Sequence, residues 1–344
     1  MEHASGFDVS GYFVPDHVPA EYVKPFNVFT EPGMEKCPFQ SAQTMREMGR
    51  VFWNPVNPLF RGSWVLTRAE DMREVLNNPA VFASAGQAGF MTLEGAALTL
   101  IPLEADPPRH AKYRQLLNPL ISPSAVTKMT EGVTRGAVSL IEAVRAQGHC
   151  EFNRDFAIPF PVGIFLQLMG LPEAEMERFL AWESVLVHTG DTATGNAAME
   201  AAAVEITNYL VQLAADRRAE PKDDLASFIV NARIDGELLA DKEVLGIMYL
   251  LFLAGLDTVT ATTGWIFHYL AEHPDQQQRL RENPDQISKS LEELLRRFSI
   301  ITTHRRCTRD VEVGGVAMKA GDWITVNYSM GSTDHALFEN PMAV

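Results

Sequence analysis

The chain has 344 residues, 46% hydrophobic and 21% charged, which is the composition of a globular protein with a large core rather than of a disordered chain. Its 29 basic and 44 acidic residues leave a net charge of −15, which excludes a general nucleic-acid binder, since that role needs a basic surface. Three cysteines without metal spacing, Cys37, Cys150 and Cys307, point to a reducing compartment and to no disulfide framework.

The N-terminal stretch MEHASGFDVSGYFVPDHVP lacks the basic and apolar segments of a signal peptide, and none is expected there. The first forty residues, rich in Pro and aromatics, read as an extended wrapping segment. A short strand follows at Trp64–Thr67, then a helix from Ala69 to about Leu76 that stops before Asn77, Asn78 and Pro79. Residues 83–108 form a long loop of small and apolar residues, of the kind that often carries function. Helices then succeed one another from Arg109 to about Arg297, broken at Pro119, Pro123, Gly170–Pro172, His188–Asn196 and three later Pro-containing stretches. After Phe298 the pattern turns to strands. The fold class is therefore mainly α with a minor β part, with helices wrapped round a central one just past the middle.

That central helix, Val244–Ala271, is long enough to cross a bilayer, yet Gly246, Gly255, Gly264, four threonines, His268 and Asp257 argue instead for a helix buried on all sides in a soluble protein. Asp257 is its only formal charge, and Thr258 follows it. The pair cannot be an N-cap, because the apolar run extends on both sides. Two readings stay open: a Thr hydroxyl bonded to the carbonyl four residues earlier, or a helix distorted beside a site, where carboxylate and hydroxyl pass protons to a ligand that approaches over Ala254 and Gly255.

Three further groups stand out. Glu293 and Arg296 share a helix face, but the same spacing recurs at Glu47–Arg50, Glu70–Arg73, Glu142–Arg145, Glu151–Arg154 and Glu175–Arg178, so only context distinguishes them. DPPRHAKYR places His110 and Arg114 four apart, beside Arg109 and Lys112. It reads as a solvated face, a carboxylate or phosphate clamp, or a dock for an acidic partner. THRRCTRD carries His304, Arg305, Arg306 and Arg309, again suited to anion contact or to solvent. DDLAS at Asp223–Ser227 begins like the magnesium motif of helical terpene cyclases and lacks its third acid, leaving that enzyme class as a weak alternative.

Taken in order, these motifs resemble cytochrome P450, in its soluble bacterial type. AGLDT (Ala254–Thr258) is similar to the central-helix motif of that family, EELLRR to its Glu-x-x-Arg helix, DPPRHAKYR to the helix that contacts the haem propionates, and RRCTRDVEVGGVAMKAGD to the strand region after it. FAIPFPVGIFLQLMGLP, GLDTV and EELLRRFS resemble the camphor-hydroxylating branch, and the similarity runs from about Pro15 to the last residue. The resemblance implies a single P450 domain over residues 1–344. It also implies haem b held at its propionates by His110, Arg114 and Arg305, dioxygen in a groove opened by Ala254 and Gly255, and proton delivery during O–O cleavage by Asp257 and Thr258. Glu293 and Arg296 take a structural role. The family's iron ligand is a Cys in a Phe-x-x-Gly-x-x-x-Cys-x-Gly loop, absent here. The reading is therefore of a chain truncated before that loop, with the Cys beyond residue 344 and this polypeptide alone inactive. A P450-derived chain that only binds an apolar ligand is the alternative.

The same resemblance implies a substrate pocket lined by Phe90, Leu98, Leu250, Leu253, Ala254 and Ile301, for a small apolar molecule of terpenoid type. Leu98 stands where the camphor-hydroxylating branch has Tyr, which counts against camphor itself, with Thr92 and Thr99 as the other candidates to offer a hydroxyl. His188–Asn196 resembles the mobile link between two lid helices. Electrons are expected from a ferredoxin and its reductase, docking near Arg109, Lys112 and Arg114. The expected location is cytoplasmic, with no nucleic acid or membrane as partner.

Overall fold

The computed structural model describes residues 11–27, 37–56, 62–88, 92–93, 96–188 and 193–344. They form two compact units, Met1–Phe90 with Asp275–Val344, and Met91–Pro274.

The first unit opens with α1 (Pro38–Glu47), β1 (Val51–Asn54), β2 (Ser63–Leu66), α2 (Ala69–Asn77) and β3 (Phe82–Ala83). The aromatic and β-branched runs VFWN and SWVL pair antiparallel with every residue buried, and Trp53 meets Trp64 edge-on at 5.3 Å. α2 starts where its sequence suggests. Its cap comes from far along the chain: the Asp334 carboxylate accepts the Ala69 N–H at 2.9 Å. The helix α1 lies at the end of what the sequence suggested was extended wrapping chain.

In the second unit, β4 (Thr92–Leu93) and β5 (Ala96–Ala97) form a short hairpin ahead of α3 (Arg109–Leu117), α4 (Pro123–Arg145), α5 (Pro159–Leu168), α6 (Met176–His188), α7 (Ala193–Ala219) and α8 (Leu225–Val230). Ser122 and Asp224 cap α4 and α8. A hairpin of β6 (Arg233–Ile234) and β7 (Glu237–Leu238) turns through Asp235 and Gly236, both at positive φ. Asp-Gly is a pair that two-residue hairpin turns favour, because both positions need positive φ. α9 (Asp241–Glu272) packs against α5, α6, α7 and α8, so helices do surround a central one.

Burial of α9 is uneven. Val244, Ile247, Met248, Tyr249, Phe252 and Leu256 are buried, whereas beyond Leu256 only Ile266 is. The expected all-round burial is therefore not met: the first half buries one side while Leu245, Leu250, Leu251 and Leu253 are half-buried, and the second half is more open still. The second half carries Asp257, Thr258, Thr260, Thr262 and Thr263, whose polar groups favour partial hydration.

The chain then returns to the first unit through α10 (Pro274–Glu282), α11 (Ile287–Arg297), β8 (Thr302–Cys307), β9 (Val311–Val313), β10 (Val316–Met318), β11 (Trp323–Asn327) and α12 (Tyr328–Ser332). The five-stranded sheet runs β1-β2-β11-β8-β3, with β11 parallel to β2 and antiparallel to β8. Phe52, Trp64, Leu66, Phe82, Ile324 and Val326 fill its core.

Candidate functional site

On α9, Leu250, Ala254 and Thr258 follow one another at four-residue intervals and so share a stripe. Unlike the buried Ile247, Met248, Phe252 and Leu256, this stripe is half-buried at Leu250 and Thr258 and exposed at Ala254. Leu253 and Asp257 beside it are half-buried. The Thr258 hydroxyl donates to the Ala254 carbonyl at 2.7 Å. The helix runs unbroken through the Asp-Thr pair, so the distortion entertained from the sequence does not occur. Donating backwards leaves the lone pairs of Thr258 Oγ1 able to accept a hydrogen bond from a ligand. Two residues on, the Thr260 hydroxyl lies 2.9 Å from the Leu256 carbonyl and 3.0 Å from the Ala157 carbonyl and shares its one hydrogen between them.

The glycines of α9 differ in use. A Cβ on Gly255 would meet Phe165 at 3.6 Å, an ordinary contact against α5. A Cβ on Gly246 would lie 2.2 Å from the backbone oxygen of Thr99, and the Ile101 N–H donates to the Gly246 carbonyl at 3.3 Å. The missing side chain lets the segment that carries the buried Leu98 and Leu100 lie backbone to backbone on α9. Glu104 closes this segment by accepting the Leu100 N–H at 2.7 Å. Phe90, and residues 189–192 of the expected lid link, lie outside the described residues.

α3 sorts its four basic residues into two pairs. Arg109 and the Tyr113 hydroxyl both bond Glu243 at the start of α9, and Lys112 pairs with Asp235 in the β6–β7 turn. Arg109 Nε also donates to the Tyr113 oxygen at 3.0 Å. Burial alone raises the Glu243 carboxyl, but the hydrogen bonds from Tyr113, Arg109 and the Ala240 N–H outweigh it and hold its pKa below the ordinary range. His110 and Arg114, both half-buried, have no side-chain hydrogen bond or ion pair among the described residues. They are the members of the basic group left for a ligand.

In the other unit, β8 presents Thr303 and Arg305 on one face. Arg305 Nη1 donates to three neutral oxygens, the His304 carbonyl at 2.7 Å, Thr303 Oγ1 at 3.1 Å and Gln87 Oε1 at 3.2 Å. His304, on the opposite face, meets Thr325 Oγ1 at 3.1 Å, and burial with the neighbouring Arg305 lowers its pKa to about 4, so it is neutral at physiological pH. Arg306 and Arg309 are exposed, as is Ile301, whose carbonyl accepts the Tyr328 N–H at 2.9 Å.

Context does single out Glu293–Arg296. The guanidinium spends five donors: two on Glu293 at 2.7 Å, and three on the carbonyls of Ser332, Pro341 and Ala343 at 2.8–2.9 Å. It also stacks on Phe338 at 4.7 Å. Among the look-alikes, Glu142–Arg145 is an exposed pair, while Arg50 turns to Asp71 and Arg154 to Asp155.

Each unit by itself offers donors suited to a carboxylate: Arg305 in the first, whose Nη1 faces neutral oxygens, and His110 with Arg114 in the second. The cysteines do not suit a haem iron. Cys307 is locked into β8 opposite Phe82, its thiol pushed up to about 12 by burial and by Asp322 and Asp310. Cys150 is exposed and Cys37 half-buried before α1. The terpene-cyclase alternative loses Asp224, which accepts the Ser227 N–H as the cap of α8 and pairs with Arg217 at 2.6 Å.

The cytochrome P450 family model matches residues 192–344. The chain is 36% identical over 339 residues to a probable cytochrome P450 127A1 of Sinorhizobium fredii, covering 96% of this chain and 80% of that protein. It is 26% identical over 320 residues to a linalool 8-monooxygenase of Pseudomonas putida, covering 89% of this chain and 79% of the relative. The crystal structure of cytochrome P450 CYP101C1 superposes with a TM-score of 0.83 at 29% identity, over 96% of this chain and 82% of that one. The expectations of a mainly α fold and of haem bound through a cysteine thiolate agree with these likenesses. The chain belongs to the cytochrome P450 family of haem-thiolate monooxygenases.

Proposed function

We propose that residues 1–344 contribute one P450 domain that hydroxylates a small apolar, terpenoid-like substrate in the cytoplasm, with electrons from a ferredoxin-type donor and its reductase. The observation that carries the proposal is the half-open stripe Leu250–Ala254–Thr258 beside the buried Ile247, Phe252 and Leu256, with Leu98 and Leu100 buried in the segment pinned to that helix at Gly246. An apolar lining with few polar groups selects hydrocarbon-like ligands. The linalool-hydroxylating relative adds support for a terpenoid. Phe90, Leu253 and Ile301 complete the proposed lining.

Haem ligated by a cysteine thiolate supplies the activation of dioxygen. His110, Arg114 and Arg305 bind its propionates as hydrogen-bond donors. Ala254 and Gly255 keep side-chain bulk off α9 where dioxygen is bound. Thr258 Oγ1, its hydrogen committed to the Ala254 carbonyl, accepts a hydrogen bond there and so holds a proton donor in place, while Asp257 relays protons from solvent to the site. The ferredoxin reading rests on the family resemblance, because His110 and Arg114 are assigned to the propionates. Arg109 and Lys112 already hold Glu243 and Asp235, so less of α3 is available to an acidic partner than the sequence suggested.

Titrating the haem-loaded protein with linalool, a steroid and a long-chain fatty acid, and following the Soret band, tests the substrate class. A saturable spin-state shift with the monoterpenoid, at least tenfold tighter than with the other two, supports the proposal. A shift confined to the steroid or the fatty acid refutes it.

A further inference from the structure

We propose that Gln87 is a positioning residue for the haem propionate contact of Arg305. The inference rests on the reading of Arg305 given above.

The geometry begins with the sheet. β3 pairs with β8 through Phe82 opposite Cys307 and Ala83 opposite Arg306. The turn after β3 is made possible by Gly86 at φ 81° and closed by the Gln87 N–H donating to the Ser84 carbonyl at 3.2 Å. It returns the chain across the face of β8 that carries Thr303 and Arg305. Gln87, 6% exposed, arrives there with its amide oxygen against both side chains.

Proton bookkeeping gives the contact its direction. A threonine hydroxyl has one hydrogen to donate. Thr303 Oγ1 donates it to Gln87 Oε1 at 2.5 Å, which turns the hydroxyl lone pairs toward Arg305 Nη1, 3.1 Å away. Gln87 Oε1 itself lies 3.2 Å from the same nitrogen. One buried amide oxygen therefore acts on Nη1 twice, directly and through the Thr303 hydroxyl. Both oxygens are neutral, so they orient the guanidinium without cancelling the charge that a carboxylate needs. An acid at position 87 would hold Arg305 equally well and compete with the propionate.

The test compares binding of haem with binding of haem dimethyl ester, whose propionates carry no charge, to the apoprotein by absorbance titration. Four proteins are used: wild type, Gln87→Met, Gln87→Glu and Arg305→Ala. Wild type should prefer haem. Gln87→Met, of similar shape and without an acceptor oxygen, should lower that preference about threefold to tenfold while leaving ester affinity unchanged. Gln87→Glu should make the preference pH-dependent, smaller at pH 8 than at pH 5, because only the ionised acid competes; a purely structural glutamine would give no such profile. An effect in Arg305→Ala with none in either Gln87 variant overturns the inference and leaves the role of Arg305 standing. An unaltered preference in Arg305→Ala overturns both. Should Gln87→Met fail to fold, the pH profile of Gln87→Glu decides alone.

Discussion

Replacing Gly246 by Ala tests how the pocket segment is held on α9. Ala is the better helix former by about 1 kcal/mol, so propensity alone predicts stabilisation. Packing opposes it. The new Cβ would sit 2.2 Å from the Thr99 oxygen, and backbone has no rotamer to retreat into. The segment must withdraw by about 1 Å, which weakens the Ile101 to Gly246 hydrogen bond, worth about 1 kcal/mol, and disturbs the seating of Leu98 and Leu100. Overpacking of this kind costs about 1–3 kcal/mol. The balance is a net loss of about 2 kcal/mol. Gly255→Ala is the internal control, because its Cβ would meet Phe165 at 3.6 Å and fit without displacement. There the propensity gain should survive, making that variant neutral or up to about 1 kcal/mol more stable. By thermal unfolding the two variants should lie roughly 3–4 °C apart. Equal melting temperatures, or a stabilised Gly246→Ala, would refute the argument that backbone contact requires glycine at 246.

Thr258→Ala in the reconstituted haem protein should lower the ratio of product to oxygen consumed and raise peroxide, measured in parallel by an oxygen electrode and a peroxide assay; unchanged coupling removes Thr258 from the proton path. Arg296→Lys should destabilise the first unit by about 3 kcal/mol in a urea titration, because a lysine cannot reproduce a five-donor fork on Glu293 and three carbonyls; a loss under 1 kcal/mol would mean that the chain from Ser332 to Ala343 is held by other contacts. The lowered pKa of Glu243 means stability that is complete above the ordinary carboxylate pKa and lost as pH falls through the depressed one. Glu243→Gln should therefore flatten the acid limb of a stability–pH curve below about pH 4.5, and an unaltered limb contradicts the assignment. His304 has the same sign for a different reason: burial keeps it neutral, so its contribution is complete above pH ~6.5 and fades toward pH 4. His304→Gln should remove that part of the slope, and its persistence would place the titration elsewhere.

The helical order, the breaks between helices and the strand-rich tail were legible because periodicity, prolines and β-branched runs are local signals. α2 and α3 begin at the residues the sequence suggested, Ala69 and Arg109. Long-range contacts were not legible in this way. Nothing local marks Asp334 as the cap of α2, or Gln87 as the partner of Thr303 and Arg305 across 216 and 218 positions. Glu243 could have been suspected from its place in the first turn of the central helix, but not its bonds to Arg109 and Tyr113. The basic group on α3 shows the limit most plainly. Four neighbouring residues look alike in sequence, and only their partners separate the structural pair, Arg109 and Lys112, from the available pair, His110 and Arg114.

The composition of α9 divides at the point where its task changes. From Val244 to Phe252 it is apolar, with Val244, Ile247, Met248, Tyr249 and Phe252 buried and Gly246 inserted where another backbone must come close. From Ala254 onward, small residues alternate with threonines whose hydroxyls turn back on the helix, Thr258 to Ala254 and Thr260 to Leu256. Back-bonding satisfies the hydroxyl hydrogen where burial is only partial, so the helix keeps its full ladder and Thr258 still presents acceptor lone pairs on the half-open stripe, while Thr260 faces the Ala157 carbonyl. A break in the helix would expose carbonyls as well, at the cost of the rigidity that holds the Thr258 acceptor in place. The unbroken helix therefore fits a site in which protons are passed by side chains, Asp257 and Thr258, rather than by freed backbone groups.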